Sequence, residues 1–346
     1  MKALTYHGPR DIRCTSVPDA TLPGERGAVV AVRAAGICGS DLHIYDGHGF
    51  SPGTGYPVGH EAVGEVVEVG SAVERFAAGD SVLLAASVGC GHCDACGRGQ
   101  VFLCSSPGEV GVYGVGHALG GCQAELVAVP AADMNLVALP DGMGDDAGLV
   151  LTDNAPTGWY GARLARIAPG DTVAVVGVGP VGLMSVAAAF VMGAARVLAV
   201  DVVASRRERA AALGAVPVGD DPIGEVLRLT GGRGADVVVE AVGADATIEL
   251  AMGLAGRCGR VSVVGVSQNP AFAFNMLIAQ LKCLEFTIGL CSVQAELPAL
   301  LALTASGRLD PGAIVSHHLP LEAGPDAYAL FSAREDGVCK VVLDVT

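Results

Sequence analysis

Aromatic side chains are scarce in this chain: 8 Phe, 6 Tyr and 1 Trp among 346 residues. The core must therefore be built mainly from Val, Ala and Leu. Charge is scarce as well, at 16% of residues, and it leans acidic, with a formal net charge of −15. That sign argues against nucleic acid and anionic membrane surfaces as partners. No apolar run reaches the roughly 20 residues that span a bilayer without a charge or Pro breaking it. Nothing at the N-terminus resembles a secretory leader, so the expected compartment is a reducing cytoplasm. Repeats and low-complexity tracts are also missing.

Glycine (49 residues) and cysteine (11 residues) are plentiful, and half the chain is hydrophobic. The length favours two domains. Four of the cysteines, Cys90, Cys93, Cys96 and Cys104, follow the spacing C-x2-C-x2-C-x7-C. Four thiolates this close can close a tetrahedral structural zinc site within one small lobe, about residues 88–106. Gly91, Gly97 and Gly99 are the residues expected to let that lobe bend. Two disulfides are the alternative, and they would need an oxidising compartment. Cys14, Cys122, Cys258, Cys283, Cys291 and Cys339 lack metal spacing and are expected to be ordinary small, partly buried residues.

The first 150 residues read as β-rich. Val-rich runs at Gly27–Val32, Ala62–Val69 and Ser81–Leu84 alternate with Gly, Pro and Asp turns. Near Ala168 the pattern changes. Asp171–Gly177 and Arg196–Val200 are continuous apolar runs, as expected of strands buried on both faces. Helical patterns follow at Val181–Gly193, Ser205–Leu213 and Ala246–Leu254, with further strands at Val237–Glu240 and Arg260–Val266. This alternation predicts an α/β domain with a doubly wound parallel sheet. The tail Leu319–Thr346 reads as short strands again, so the second domain is expected to be inserted in the first: 1–155, then 156–294, then 295–346.

Gly177-Val-Gly179-Pro180-Val181-Gly182 is G-x-G-x-x-G, directly after a strand and opening a helix. Such a turn lets backbone approach a pyrophosphate at a helix N-terminus. Asp201 ends the next strand at the spacing expected of a ribose-binding acid. Its charge favours NAD over NADP, whereas Arg206 and Arg207 just behind it could pair a 2′-phosphate or cover the adenine. Three further groups look like metal ligands: Cys38, His60 with Glu61, and Asp153. One Cys, one His and one carboxylate would leave an open position on zinc, as catalytic sites do.

With these motifs in this order, the chain resembles the zinc-dependent alcohol dehydrogenases of the medium-chain dehydrogenase/reductase superfamily. The resemblance rests on Gly59-His60-Glu61-x2-Gly64-x5-Gly70-x2-Val73, the four-cysteine lobe, the Cys38 segment, the glycine-rich turn and the C-terminal Lys340-Val-Val-Leu. It implies a Rossmann domain inserted in a β-rich GroES-like catalytic domain. It further implies that Cys38, His60 and Asp153 bind a catalytic zinc, so that each chain carries two zinc ions, and that NAD is the cofactor. Many relatives have Cys in place of Asp153. Glu61 would approach the metal during ligand exchange or sit beside its ligands, and Asp41 would fix the His60 tautomer. Ser40 would contact the alcohol oxygen, and His43 would pass its proton onward through the cofactor ribose. Thr157, Val242, Gly265, Val266, Gly289 and Leu290 would contact the cofactor, and Lys340 would reach its phosphates. Gly39 stands where relatives carry Arg or His, which removes one phosphate contact.

The implied activity is reversible hydride transfer between a primary or secondary alcohol and the nicotinamide. The alternatives are a polyol, formaldehyde or threonine dehydrogenase on the same scaffold, or a non-enzymatic dinucleotide- and zinc-binding protein. Tyr45, Phe50, Tyr113 and Trp159 are candidate pocket residues. A homo-oligomer, tetramer or dimer, joined near Leu284–Leu290 is expected.

Overall fold

The computed structural model describes residues 1–48, 53–106, 111–335 and 337–345. The chain divides into two compact units, one of residues 1–156 and 292–346, the other of residues 157–291. Among the described residues no helix is long and apolar enough to cross a membrane.

The first unit is built on a seven-stranded mixed sheet. Its order is Val315–Pro320, Lys340–Asp344, Ala28–Ile37, Ala62–Val69, Ser81–Leu84, Leu136–Ala138, with Leu126–Val129 also paired to Ala28–Ile37. Only the first pair is parallel. The long strand Ala28–Ile37 shifts register twice against Ala62–Val69, at Val29/Val30 and Val32/Ala34. Such bulges bend a strand and raise its twist. A hairpin, Lys2–Gly8 with Asp11–Ser16, packs on this body, and Leu4, Val30, Ile37, Val66, Tyr328 and Phe331 are among its buried core residues.

The tail departs from the expected run of strands. Between Val315–Pro320 and Lys340–Asp344 lies a helix, Gly324–Ala333, which buries Ala327, Tyr328 and Phe331. A Cβ on Gly324 would lie 2.2 Å from the Leu4 side chain, so a larger residue there would have to displace this buried leucine.

The second unit carries a six-stranded, wholly parallel sheet. Its order is Val216–Val218, Arg196–Val200, Thr172–Val176, Ala235–Glu240, Ala255–Val263, Glu285–Ile288. Read along the chain this is 3-2-1-4-5-6, the doubly wound dinucleotide-binding arrangement. Helices Pro180–Val191, Ala204–Ala212, Pro222–Leu229 and Asp245–Leu254 connect its strands. Ala174, Leu198, Val238, Val261 and Val263 fill its core. Each fully buried Val or Leu side chain among them contributes about 1.5–3 kcal/mol relative to exposure.

The fifth strand starts and stops earlier than the apolar run Arg260–Val266 suggests. Its pairing jumps between Ala255 and Arg260. It ends at Val263 because Gly265 turns into backbone contact with the neighbouring loop, where a Cβ would lie 2.1 Å from the Gly243 amide nitrogen.

Candidate active site

Strand pairing brings four distant segments to one end of the first unit's sheet. Cys38 directly follows strand Ala28–Ile37, and His60 and Glu61 directly precede strand Ala62–Val69. Ala35 pairs with Ala62, so these strand ends are neighbours. Val341 pairs with Ile37, which sets Lys340 beside them. The Ala86 amide donates to the Thr152 carbonyl at 3.0 Å, which brings the junction between helices Asp145–Leu151 and Asn154–Leu164 to the same place. Asp153 lies at that junction.

The side chains converge. One donor atom each from Cys38, His60, Glu61 and Asp153 lies within 4.8 Å of the others. Cys38 Sγ is 3.2 Å and His60 Nε2 is 3.6 Å from Asp153 Oδ2. His60 Nδ1 faces Asp41 Oδ1 at 3.2 Å. Asp41 is an acceptor, so Nδ1 carries a proton, and Nε2 is the nitrogen that faces the cluster, where a metal would take the place of its proton. The other Asp41 oxygen accepts the Cys38 amide at 2.9 Å. Ser40 Oγ lies 3.4 Å from His60 Nε2, and His43 is half-buried on the short helix Asp41–Tyr45.

Burial alone would drive the His60 imidazole neutral, but Asp41 and Asp153 outweigh it and hold its pKa well above the ordinary value. Burial likewise pushes the Asp153 carboxyl up, yet His60 and Cys38 keep it below the usual range. The Cys38 thiol is pushed up by burial and by the nearby Asp153 and Glu61 charges. A thiol, an imidazole and a carboxylate set facing one another, with the imidazole Nε2 aimed inward, fit a divalent metal with nitrogen, sulfur and oxygen preference.

The sequence alone did not single out three participants. Tyr328 OH donates to Gln123 Oε1 at 2.9 Å; Gln123 Nε2 donates to the Gly36 carbonyl at 2.8 Å and lies 3.5 Å from Asp41 Oδ2. This buried chain of bonds braces Asp41 and, through it, His60. Its one sequence trace is Gly59, where a Cβ would lie 2.5 Å from the Gln123 side chain. Asn154 is the third, with its amide on Glu61 and Asp153.

Lys340 requires a correction. It was expected to reach the cofactor phosphates, but its side chain is wholly buried and its ammonium bonds Glu61 and the Ile37 carbonyl. Burial would strip its proton, and Glu61 opposite keeps it charged. Of the candidate pocket residues, Tyr45 packs on Tyr328 and Tyr113 is fully buried, so both are core. Trp159 is half-buried on helix Asn154–Leu164, and Phe50 lies outside the described residues.

In the lobe, one sulfur each from Cys90, Cys93, Cys96 and Cys104 lies within 4.8 Å of the others. Cys93 Sγ and Cys104 Sγ are 3.7 Å apart, close to the edge of a tetrahedron with arms of about 2.3 Å. Backbone amides of Cys96 and Ser105 lower the Cys93 thiol to about 5, whereas burial and the adjacent sulfurs raise Cys96. Thiolates so close repel one another unless a cation sits among them. Gly91 and Gly99 adopt left-handed backbone as expected. Gly97 does not and has open space around it; Gly89 is the glycine the packing requires, since a Cβ would meet Val101 at 2.6 Å and Cys96 Sγ at 2.9 Å.

The second unit gathers its expected residues at the carboxyl end of the parallel sheet. Gly177 has φ +81°, and a Cβ there would strike Val242 at 2.2 Å. A Cβ on Gly182 would strike the Gly177 carbonyl at 1.8 Å, so helix Pro180–Val191 abuts the turn. At Gly179, by contrast, the nearest atom to a Cβ is 3.6 Å away, which leaves the turn open on the side where a phosphate would approach. Pro180 occupies the first helical turn, where its missing N–H costs nothing. Val181 follows it. Asp201 accepts the Val178 amide at 2.9 Å and the Val203 amide at 2.8 Å, which holds the glycine turn and leaves each oxygen a second lone pair. Arg206 Nη1 lies 3.9 Å from Asp201 Oδ2. Val242, Gly265 and Val266 belong to two loops in backbone contact, and Gly289 abuts Tyr160, where a Cβ would lie 2.3 Å from the hydroxyl oxygen. Leu290 is exposed beside it, and Thr157 is half-buried.

Two family models match: the alcohol dehydrogenase GroES-like domain over residues 24–141 and the zinc-binding dehydrogenase over residues 180–306. A probable zinc-binding alcohol dehydrogenase of Mycobacterium tuberculosis is 43% identical, over 96% of this chain and 86% of its own. The chain belongs to the zinc-dependent alcohol dehydrogenases of the medium-chain superfamily. Among solved structures, the alcohol dehydrogenase of Thermus sp. ATN1 superposes with a TM-score of 0.93 at 41% identity, each chain fully covered. An alcohol dehydrogenase from Escherichia coli CFT073, complexed with NADH, superposes at 0.87 with 26% identity over 99% of both chains. As a zinc-dependent alcohol dehydrogenase, this protein is an oxidoreductase acting on small alcohols or their carbonyl counterparts.

Proposed function

We propose that this alcohol dehydrogenase uses NAD, with Cys38, His60 and Asp153 holding a catalytic zinc and the four-cysteine lobe holding a structural one. The observation that carries this is the inward-facing set of thiol, imidazole and carboxylate with Asp41 fixing the imidazole tautomer. When bound, the metal supplies Lewis acidity, which lowers a hydroxyl pKa from about 16 towards neutrality.

The chain's own residues supply the rest. Ser40 Oγ, beside His60 Nε2, is positioned to accept the alcohol's proton in a hydrogen bond and relay it. His43, on the neighbouring helix Asp41–Tyr45, would be the proton's acceptor, because imidazole titrates near neutral pH. A bound nicotinamide would supply the hydride acceptor that turns the alcohol into its carbonyl. The glycine turn Gly177–Gly182 holds the pyrophosphate, and Asp201 accepts the adenosine ribose hydroxyls. Asp201 excludes a 2′-phosphate by charge, and the NADH complex of a relative supports the same choice.

The preferred substrate is a small to medium primary or secondary alcohol. The test is reduction of NAD and of NADP, followed by absorbance, across primary, secondary, aromatic and polyhydroxy alcohols at mildly alkaline pH. Turnover with NAD well above NADP is the expected result. Equal use of both cofactors would remove the Asp201 assignment, and no turnover on any alcohol with metal at both clusters would remove the substrate assignment.

The protein assembles as a homo-oligomer, tetramer or dimer, through edge strand Glu285–Ile288. Exposed Ile288 and, on helix Met276–Lys282, exposed Met276, Leu277 and Leu281 support that edge. Gel filtration with light scattering checks it, and a monomer at micromolar concentration would overturn it.

A further inference from the structure

The cluster around Cys38 has one donor too many. Cys38, His60, Asp153 and Glu61 all offer an atom within 4.8 Å of the rest. Four protein donors would close a tetrahedron, whereas a catalytic site needs three and an open position. Something must therefore decide between the two carboxylates.

Asn154 touches both. Its Nδ2 lies 2.8 Å from Glu61 Oε1, 3.1 Å from Asp153 Oδ2 and 3.7 Å from Cys38 Sγ. The acceptors on this side settle the amide's orientation, since a flipped carbonyl would face two carboxylates. Its own Oδ1 is consequently buried without a partner. A fully buried side chain that leaves one polar atom unpaired is held there by what the other atom does.

The two carboxylates fare differently. Glu61 has both oxygens engaged, Oε1 by Asn154 and Oε2 by the Lys340 ammonium. The ammonium and Oε2 sit where only glycine leaves room, because a Cβ on Gly36 would lie 2.0 Å from Glu61 Oε2 and 2.9 Å from Lys340 Nζ. Asp153 accepts the same amide at 3.1 Å on Oδ2, the oxygen that also faces Cys38 and His60, so the amide aims that oxygen into the cluster.

We infer that Asn154 is a positioning residue that selects the catalytic metal's carboxylate: it steadies Asp153 in the ligand set and, opposite Lys340, holds Glu61 out of it. The inference rests on the metal assignment made above for this cluster. Loss of the amide frees Glu61 Oε1, which then takes the open position.

The test uses cobalt(II) loaded at this cluster, with the lobe's metal left in place, and reads the visible spectrum and its response to added imidazole. In the wild-type protein imidazole shifts the spectrum. In Asn154→Ala the shift is lost, chelator removes the cobalt more slowly, and turnover falls by about 10- to 100-fold, the usual cost of an outer partner. Adding Glu61→Gln to Asn154→Ala restores the imidazole response, which a merely structural role would not do. Asn154→Ser, whose hydroxyl is too short to hold either carboxylate, carries the same expectation if the alanine variant does not fold. A wild-type imidazole response in the single variant, or no restoration in the double variant, overturns the inference. A wild-type cluster that takes no cobalt would instead overturn the metal assignment beneath it.

Discussion

The two metal-ligand clusters in the first unit are built on opposite plans. The lobe takes four like donors from 15 consecutive residues, Cys90 to Cys104. Its sulfurs are organised by their own backbone: the Cys90 amide faces Cys104 Sγ at 3.3 Å and the Cys93 amide faces Cys90 Sγ at 3.4 Å. The Cys38 cluster takes unlike donors from segments spread over the 115 positions from Cys38 to Asp153, and side chains organise it. Asp41, Gln123, Tyr328, Asn154 and Lys340 are all buried around it. A local cluster needs only to close. A cluster that must keep a position open needs outside partners to hold each ligand, and those partners have to come from wherever the sheet delivers them.

The sharpest way to break this contrast is Cys38→Ser. Turnover is expected to fall by more than the roughly 10- to 100-fold that losing an outer partner costs, with one metal ion lost per chain and little change in melting. Metal analysis and steady-state rates check it; full turnover would remove Cys38 from the ligand set. Next in size is Asp41→Asn. Its amide cannot accept from His60 Nδ1 and from the Cys38 amide as the carboxylate does, so turnover should fall about 10- to 100-fold with the fold intact. A variant with normal rates would show that the imidazole is fixed by something other than Asp41.

The same contrast explains what the sequence let us read. The lobe was visible from spacing alone, because its geometry is local. Ala62–Val69, Ser81–Leu84 and Arg196–Val200 were visible to the residue, because buried strands write continuous or alternating apolar runs. The Cys38 ligands stood out only as separate residue types beside the dinucleotide fingerprint, and the family resemblance joined them, since no spacing rule links Cys38 to Asp153. Of their supports, Asp41 came with the resemblance and the others escaped it. Lys340 came with the resemblance as a phosphate contact, yet its strand lies between two others and buries Lys340, Val341, Val342 and Leu343 alike. Asn154 read as nothing, since an amide gains meaning only when strand pairing brings Glu61 beside it. Helix Gly324–Ala333 was lost because Gly324-Pro325 opens it like a turn.

Smaller, and opposite in kind, is the expected effect of Cys93→Ser. If the lobe only has to close, its loss should remove one metal ion and lower the melting temperature by several degrees, at about 2–4 °C per kcal/mol for a chain of this order, while the turnover number at moderate temperature stays near the wild-type value. Calorimetry with metal analysis checks this. A large loss of turnover with unchanged melting would mean the lobe serves the chemistry and would erase the distinction between the two clusters.

The smallest effect sets the scale for ionisable groups that cluster without a metal. His318 is half exposed, with Nδ1 3.0 Å from Asp344 Oδ1 and Nε2 3.2 Å from Asp146 Oδ2. Burial is the largest single influence and lowers its pKa, but Asp344 and Asp146 together outweigh it and raise the pKa above the ordinary value. A group raised on folding stabilises the protein fully below its unfolded pKa and loses that contribution as pH climbs through the folded value. Wild-type protein should therefore exceed His318→Gln in stability at pH 5–6 by no more than about 1 kcal/mol, as exposed pairs do, and the two should converge above the raised pKa. Denaturant melts of both proteins across that range measure the difference. A gap that persists at pH 9 would mean His318 acts through packing rather than charge; one of several kcal/mol at pH 6 would mean that an exposed acid–imidazole cluster can match the buried one around His60, and burial would no longer explain why only the latter is braced.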